Sequence, residues 1–238
     1  MILNFISGPR NISTAMMYSF AQRKDTVVVD EPFYAFYLLN NEVNHPGKDE
    51  IIKSMEGDPV KVIAQLNGLK ECHLKEILFI KNMAHHLTLM PLNFLKKWQQ
   101  VFLIRDPYQV LASYSQVIDQ PNMLDIGIQR QFEIWDWLQK EGHQPLIIDS
   151  EVVLEDPEKS LITLCERLDI PFQKSMLSWK PGPKKEDGIW AKFWYKNVHQ
   201  SSGFKKKISD NSLPIHLESL YKEADIYYKK LKIHSLDI

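Results

Sequence analysis

The sequence predicts an α/β fold, a doubly wound parallel sheet flanked by helices, on three observations. Short apolar runs rich in branched and aromatic residues recur through most of the chain. Longer stretches separate them, and in these the apolar residues repeat at helical spacing. Several of the short runs are apolar without alternation, which suits parallel strands covered on both faces. Strand, helix and strand in succession give right-handed crossovers, and hence parallel neighbours in one sheet.

The elements follow in order. A first strand at 2–6 leads into Ser7-Gly8-Pro9-Arg10-Asn11-Ile12-Ser13-Thr14 and a helix at 13–23. A second strand at 26–29 ends in Asp30-Glu31-Pro32, where the proline suits the first position of another helix and puts Glu31 at its mouth. A helix at 59–70 precedes the strand at 77–80 and the run Lys81-Asn82-Met83-Ala84-His85-His86. A short helix at 92–97, a strand at 101–104 and helices at 108–118 and 126–141 come next. A strand at 146–148 and a helix at 158–168 complete the alternation. Beyond Pro171 the character changes. Residues 178–204 hold Trp179, Trp190 and Trp194 among turn formers, too long for a plain loop and too aromatic for a disordered one. An ordered lid near 178–207 is expected, then an amphipathic helix at about 213–231. No linker marks a boundary, so one domain spanning 1–238 is predicted.

Composition narrows the function. Charged residues make up 25% of the chain and formal net charge is −1, so no global field draws it to nucleic acid or anionic lipid. An anionic ligand must be held by local basic groups. Cys72 and Cys165 lie far apart and form no metal or redox pair, which points to a reducing, cytoplasmic setting. No run reaches the roughly 18–20 apolar residues of a membrane span. The opening MILNFI is too short for a signal core and lacks a basic leader.

Two segments carry phosphate chemistry. A strand, tight loop and helix N-terminus present free backbone N–H groups to an anion. Arg10 adds charge there, while Ser13 and Thr14 can cap the helix and donate hydroxyls. The nucleotide-triphosphatase pattern GxxxxGK[ST] is absent, with Ser13, Thr14 and Ala15 where Gly, Lys and Ser/Thr would stand. The loop is therefore suited to phosphate without the lysine and metal apparatus of that class. The second segment, Val101-Phe-Leu-Ile-Arg105-Asp106-Pro107, ends a strand in an arginine, with Ser113 eight positions on. Arg105 would sit at the carboxyl edge of the sheet, where open α/β sheets bind ligands. Its guanidinium fork and the Ser113 hydroxyl suit a second, separately placed phosphate.

Together, the PRxxST loop and the RDP segment with its serine resemble the sulfotransferase family. So do SGPRNISTAMMYSFAQR, DEPFYA, KNMAHHL and DGIWAKFWY, which look closest to a sulfotransferase-like branch of it. The resemblance is strongest over the first half. It implies a P-loop-like architecture and PAPS (3′-phosphoadenosine 5′-phosphosulfate) as donor, with 3′,5′-adenosine bisphosphate as product and no metal. It assigns Arg10, Asn11, Ile12, Ser13 and Thr14 to the 5′-phosphosulfate, and Arg105 and Ser113 to the 3′-phosphate. It further suggests Gly203, Phe204 and Lys205, with Lys206 and Lys207, as a basic loop over the nucleotide. The chain departs from the usual PKSGTT loop: Arg10 replaces the lysine, and Asn11-Ile12 stands for Ser-Gly. Arginine keeps the charge but not the compact geometry.

Sulfuryl transfer to a hydroxyl or amine needs a base and positive charge near the bridging oxygen. By resemblance Glu31, just past the second strand, is the first candidate for the base. His85 and His86 are alternatives, with Lys81 as a supporting cation. Two adjacent histidines without a third matched ligand do not make a metal site. Three readings follow: a PAPS-dependent transferase acting on an unknown small-molecule acceptor, a bisphosphate-binding module without turnover, and an atypical P-loop kinase or NTPase.

Overall fold

The computed structural model describes residues 1–72, 75–205 and 212–238. Lys206 and Lys207, the end of the expected basic loop, lie outside these residues. Five strands form one parallel sheet in the order β2-β3-β1-β4-β5: β1 Ile2–Ser7, β2 Thr26–Asp30, β3 Ile77–Met83, β4 Gln99–Ile104 and β5 Leu146–Asp149. Each contains the run predicted for it. β1, β3 and β4 are almost wholly buried, because helices cover both faces of the sheet.

The register decides which loops meet. Asp30 pairs with Lys81, so the ends of β2 and β3 lie side by side. Ser7 pairs with Met83 on one side and Leu103 on the other. The phosphate-loop segment after β1 therefore emerges between the Lys81 end of β3 and the Arg105 end of β4. All the candidate residues that follow a strand share one edge.

The described residues include eight longer helices: α1 Ser13–Ala21, α2 Tyr34–Asn40, α3 Lys48–Ser54, α4 Pro59–Cys72, α5 Pro107–Tyr114, α7 Ile128–Lys140, α9 Pro157–Arg167 and α12 Glu218–Lys232. Four short ones are α6 Met123–Ile126, α8 Ser150–Glu155, α10 Ala191–Trp194 and α11 Lys196–His199. Two predicted helices differ in kind. The 92–97 segment is a 3₁₀ turn at Asn93–Lys97, where the Leu95 and Trp98 N–H groups bond three residues back to Leu92 and Leu95. The helix expected at 126–141 breaks at Gly127, which adopts φ 71° after an Asn122–Asp125 capping box has started α6. The helix predicted at 108–118 ends at Tyr114.

One side chain fastens the site's floor. Gln131 of α7 is 1% exposed, and its amide donates to the carbonyls of Ile6 and Leu103, both at 3.0 Å. It thus ties the ends of β1 and β4 together. Gly8 follows under the same constraint: a Cβ there would lie 2.4 Å from the Ile126 carbonyl oxygen. Only glycine lets the loop pass so close to α6.

Candidate functional site

A cleft of about 800 Å³ opens at the carboxyl edge of the sheet. It contains the phosphate-binding loop, the end of β4, the acid–base cluster after β2 and β3, and part of the Trp-rich segment. That volume lies in the range of small-molecule binding clefts.

The loop after β1 is shaped by Asn11. Its amide donates to the Leu103 carbonyl at 2.9 Å and its Oδ1 accepts from the Ile12 N–H at 2.8 Å. Asn11 thus anchors the loop to β4. Ser13 and Thr14, expected as helix caps, are the first residues of α1 itself. Ile12 stands at the cap position and no side chain caps the helix. The first-turn N–H groups of an α-helix lack carbonyl partners within it, and Ser13, Thr14 and Ala15 line the cleft. Arg10 holds φ 53°, an uncommon conformation for a residue with a Cβ.

Arg10 turns toward α5. Its Nε donates to Ser113 Oγ at 2.9 Å, and Arg105 Nη1 donates to the Arg10 carbonyl at 2.5 Å. The two anion-binding elements expected to stand apart are joined into one patch. Neither guanidinium forms an ion pair among the described residues, and Arg105 Nε is buried without a partner. Burial lowers the pKa of both arginines. The patch has donors and charge in reserve.

The other end of the cleft is differently balanced. Lys81 is 1% exposed and donates from Nζ to Asp30 Oδ1 at 2.9 Å, to Glu31 Oε1, and to the Tyr195 hydroxyl at 2.6 Å. Burial opposes the charged ammonium, but the two carboxylates outweigh it and hold the Lys81 pKa above the ordinary value. Burial raises the Glu31 pKa; the Asp30 charge adds to the rise and Lys81 works against it. Glu31 also holds φ 42°, so two residues of the candidate site motifs adopt the left-handed region.

His85 and His86 are buried beside this cluster. Desolvation brings the His85 pKa down to about 3 and lowers His86 well below 6.5, so both rings are neutral. His86 stacks on Tyr34 at 4.4 Å, and its Nδ1 is 3.8 Å from Glu31 Oε2, beyond hydrogen-bond length. No group of His, Cys, Asp or Glu among the described residues could hold a metal ion.

In the Trp-rich segment, Trp194 and Tyr195 line the cleft, while Trp179 and Trp190 are packing residues, 5% and 3% exposed. Trp190 packs with Tyr34, Tyr37 and Ile51 under the segment; Trp179 packs edge-on to Phe204 at 5.3 Å. Gly203, Phe204 and Lys205 reach the same cleft. Gln109, Tyr114 and His45 also line it and carry no motif in the sequence. Gln109 and Tyr114 lie on α5 between and beside the motif residues, which is the one available hint.

Comparisons with known proteins bear on the family and the fold. The family described as "Sulfotransferase domain" matches residues 1–235. Branched-chain-amino-acid aminotransferase-like proteins 1 and 2 of Arabidopsis thaliana are 37% and 38% identical, covering 98% and 85% of this chain. The matched regions are 42% and 36% of those proteins, so the chain spans less than half the length of these relatives. Among solved structures, the sulfotransferase domain of the Synechococcus PCC 7002 olefin synthase superposes with TM-score 0.58 at 14% identity, covering 93% of each chain. A sulfotransferase from Alicyclobacillus acidocaldarius gives 0.57 at 10% identity, covering 98% of this chain and 96% of its own. These two likenesses show a shared fold. No helix of the described residues is long and apolar enough to cross a membrane.

Proposed function

Because the chain belongs to the sulfotransferase-domain family, we propose that it moves a sulfuryl group from PAPS to a hydroxyl or amine of a small-molecule acceptor. One observation carries this reading. A single cleft holds a patch of two arginines without ion pairs among the described residues at one end and a buried carboxylate–lysine cluster at the other. The first suits a doubly phosphorylated adenosine; the second suits removal of a proton from an acceptor.

In this reading the α1 N-terminus and its loop face the 5′ end of the donor, and Arg105 with Ser113 faces the 3′-phosphate. Gly203, Phe204 and Lys205 flank the nucleotide. Glu31 takes the acceptor's proton. The acceptor oxygen or nitrogen forms a bond to sulfur as the bond from sulfur to the bridging oxygen breaks. The electron pair of that bond leaves on the 5′-phosphate of 3′,5′-adenosine bisphosphate. Lys81 lies at the acid–base end, where positive charge offsets the charge developing during transfer.

A second reading, bisphosphate binding without turnover, is favoured by a specific observation. Arg10 is bonded to Ser113, and Lys81 is already neutralised by Asp30 and Glu31. Melting temperatures with 3′,5′-adenosine bisphosphate, ATP and AMP test binding. About 2.7 kcal/mol of stabilisation is expected at a hundredfold excess over Kd. A shift no larger than that with AMP removes Arg105 and Ser113 from the nucleotide site. Labelled-sulfate transfer from PAPS across an acceptor panel then separates enzyme from binding module. Magnesium-dependent ATP hydrolysis by the pure protein would restore the kinase or NTPase reading.

A further inference from the structure

The Trp-rich segment reaches the acid–base cluster through one polar side chain. The Tyr195 hydroxyl lies 2.9 and 2.7 Å from the two Asp30 oxygens and 3.3 Å from Glu31 Oε1. It receives Lys81 Nζ at 2.6 Å and Trp190 Nε1 at 3.2 Å. A phenol has one proton, and the distances direct it to Asp30. The same carboxylate also accepts the Gly188 N–H at 3.2 Å. Asp30 thus has Lys81 and two donors from the segment around the tryptophans. Glu31 has Lys81 and a longer contact to Tyr195, while His86 stays 3.8 Å away.

Two carboxylates on one buried lysine are not equivalent, and whatever separates their surroundings decides which one exchanges a proton. We propose that Tyr195 is the positioning residue that makes this division: it commits its proton to Asp30, keeping Asp30 as the standing partner of Lys81 and leaving Glu31 as the carboxylate that takes up a proton. The functional use of that proton rests on the transferase reading above, but the division itself does not. Burial and the Asp30 and Glu31 charges raise the Tyr195 pKa far beyond its ordinary value, so it remains a donor. The other groups around Glu31, namely His86, the Tyr34 ring stacked on it, and His85 and His45 beyond, are uncharged near neutrality. Lys81 and Asp30 are the charges Glu31 responds to. Because both extra donors to Asp30 come from one segment, seating of that segment and readiness of the base are linked.

The test is a ¹³C NMR titration of side-chain carboxyls, with the Glu31 signal assigned by its loss in Glu31→Gln. In Tyr195→Phe the Asp30 charge is less compensated, and the Glu31 midpoint should rise by about half a pH unit or more. Trp190→Phe, which leaves the Tyr195 proton in place, should leave the midpoint unchanged. Tyr195→3-fluorotyrosine, a stronger donor of the same shape, should lower it, and serves alone if the phenylalanine variant does not fold. An unmoved midpoint in a folded Tyr195 variant, or an equal shift in Trp190→Phe, overturns the proposal. Neither result depends on PAPS. A failed bisphosphate melt would therefore leave the role of Tyr195 intact, and a failed titration would leave the transferase reading intact.

Discussion

The two ends of the cleft solve opposite electrostatic problems. At the β1–β4 end, Arg10 and Arg105 are partly buried, unpaired with any carboxylate among the described residues, and left with an unpartnered Nε on Arg105. At the β2–β3 end, Lys81, Asp30, Glu31 and Tyr195 are buried together and satisfy one another. The first end keeps donors and charge uncommitted. The second is satisfied largely by its own members. Basic side chains of equal charge therefore do different work: arginine waits, lysine is already engaged.

Lys81→Met should give the largest effect. It removes the ammonium and leaves two buried carboxylates facing each other, a loss of about 3–5 kcal/mol. Calorimetric melting checks it. Because burial and Asp30 favour the protonated form of Glu31, the loss should shrink as pH falls and Glu31 takes a proton. A variant as stable as the parent at neutral pH would mean the lysine end is not the self-contained cluster described.

Arg105→Ala should do the reverse, costing little stability and much affinity. A weakening of bisphosphate binding by about thirtyfold, roughly 2 kcal/mol, is expected by titration calorimetry. If it lowered the melting temperature as much as Lys81→Met while binding held, the contrast between the two ends would fail.

The smallest effect concerns acid. His85 and His86 are neutral in the fold, with pKa values pushed below 6.5 by burial, His85 to about 3. The unfolded chain binds protons there first, so this contribution is complete above pH about 6.5 and is lost as pH falls toward 3. His85→Phe should flatten the decline of melting temperature between pH 6.5 and 5, a window set by the unfolded histidine. An unchanged slope would mean the ring is charged or exposed in solution.

Legibility from sequence follows the range of the interactions. Apolar runs such as those of β1 and β4, buried from both faces, announce themselves in composition. The helices α3 and α8 give no such signal, because six or seven residues between turns leave too little periodicity to read. Likewise Gly127 reads as an ordinary helix interior position. Its φ of 71° marks the left-handed residue that ends α6 and starts α7. Asn11 reads as a ligand contact, and it lines the cleft with its side-chain amide bonded to β4, a long-range contact no local pattern announces.

The site divides the same way. The residues Arg10, Glu31, Lys81, Arg105 and Ser113 can be picked out from sequence because each stands at a fixed offset from a strand end or helix start, a local property of the chain. Their pairings cannot. That Arg10 reaches Ser113, that Tyr195 crosses 114 positions to Lys81, and that Trp190 packs while Trp194 faces the cleft all depend on strand order and register. Sequence determined which chemistry is present at the sheet edge, since side-chain identity and strand ends are written locally. Tertiary structure alone decided which charges are answered and which are open, because that balance is set by neighbours distant along the chain.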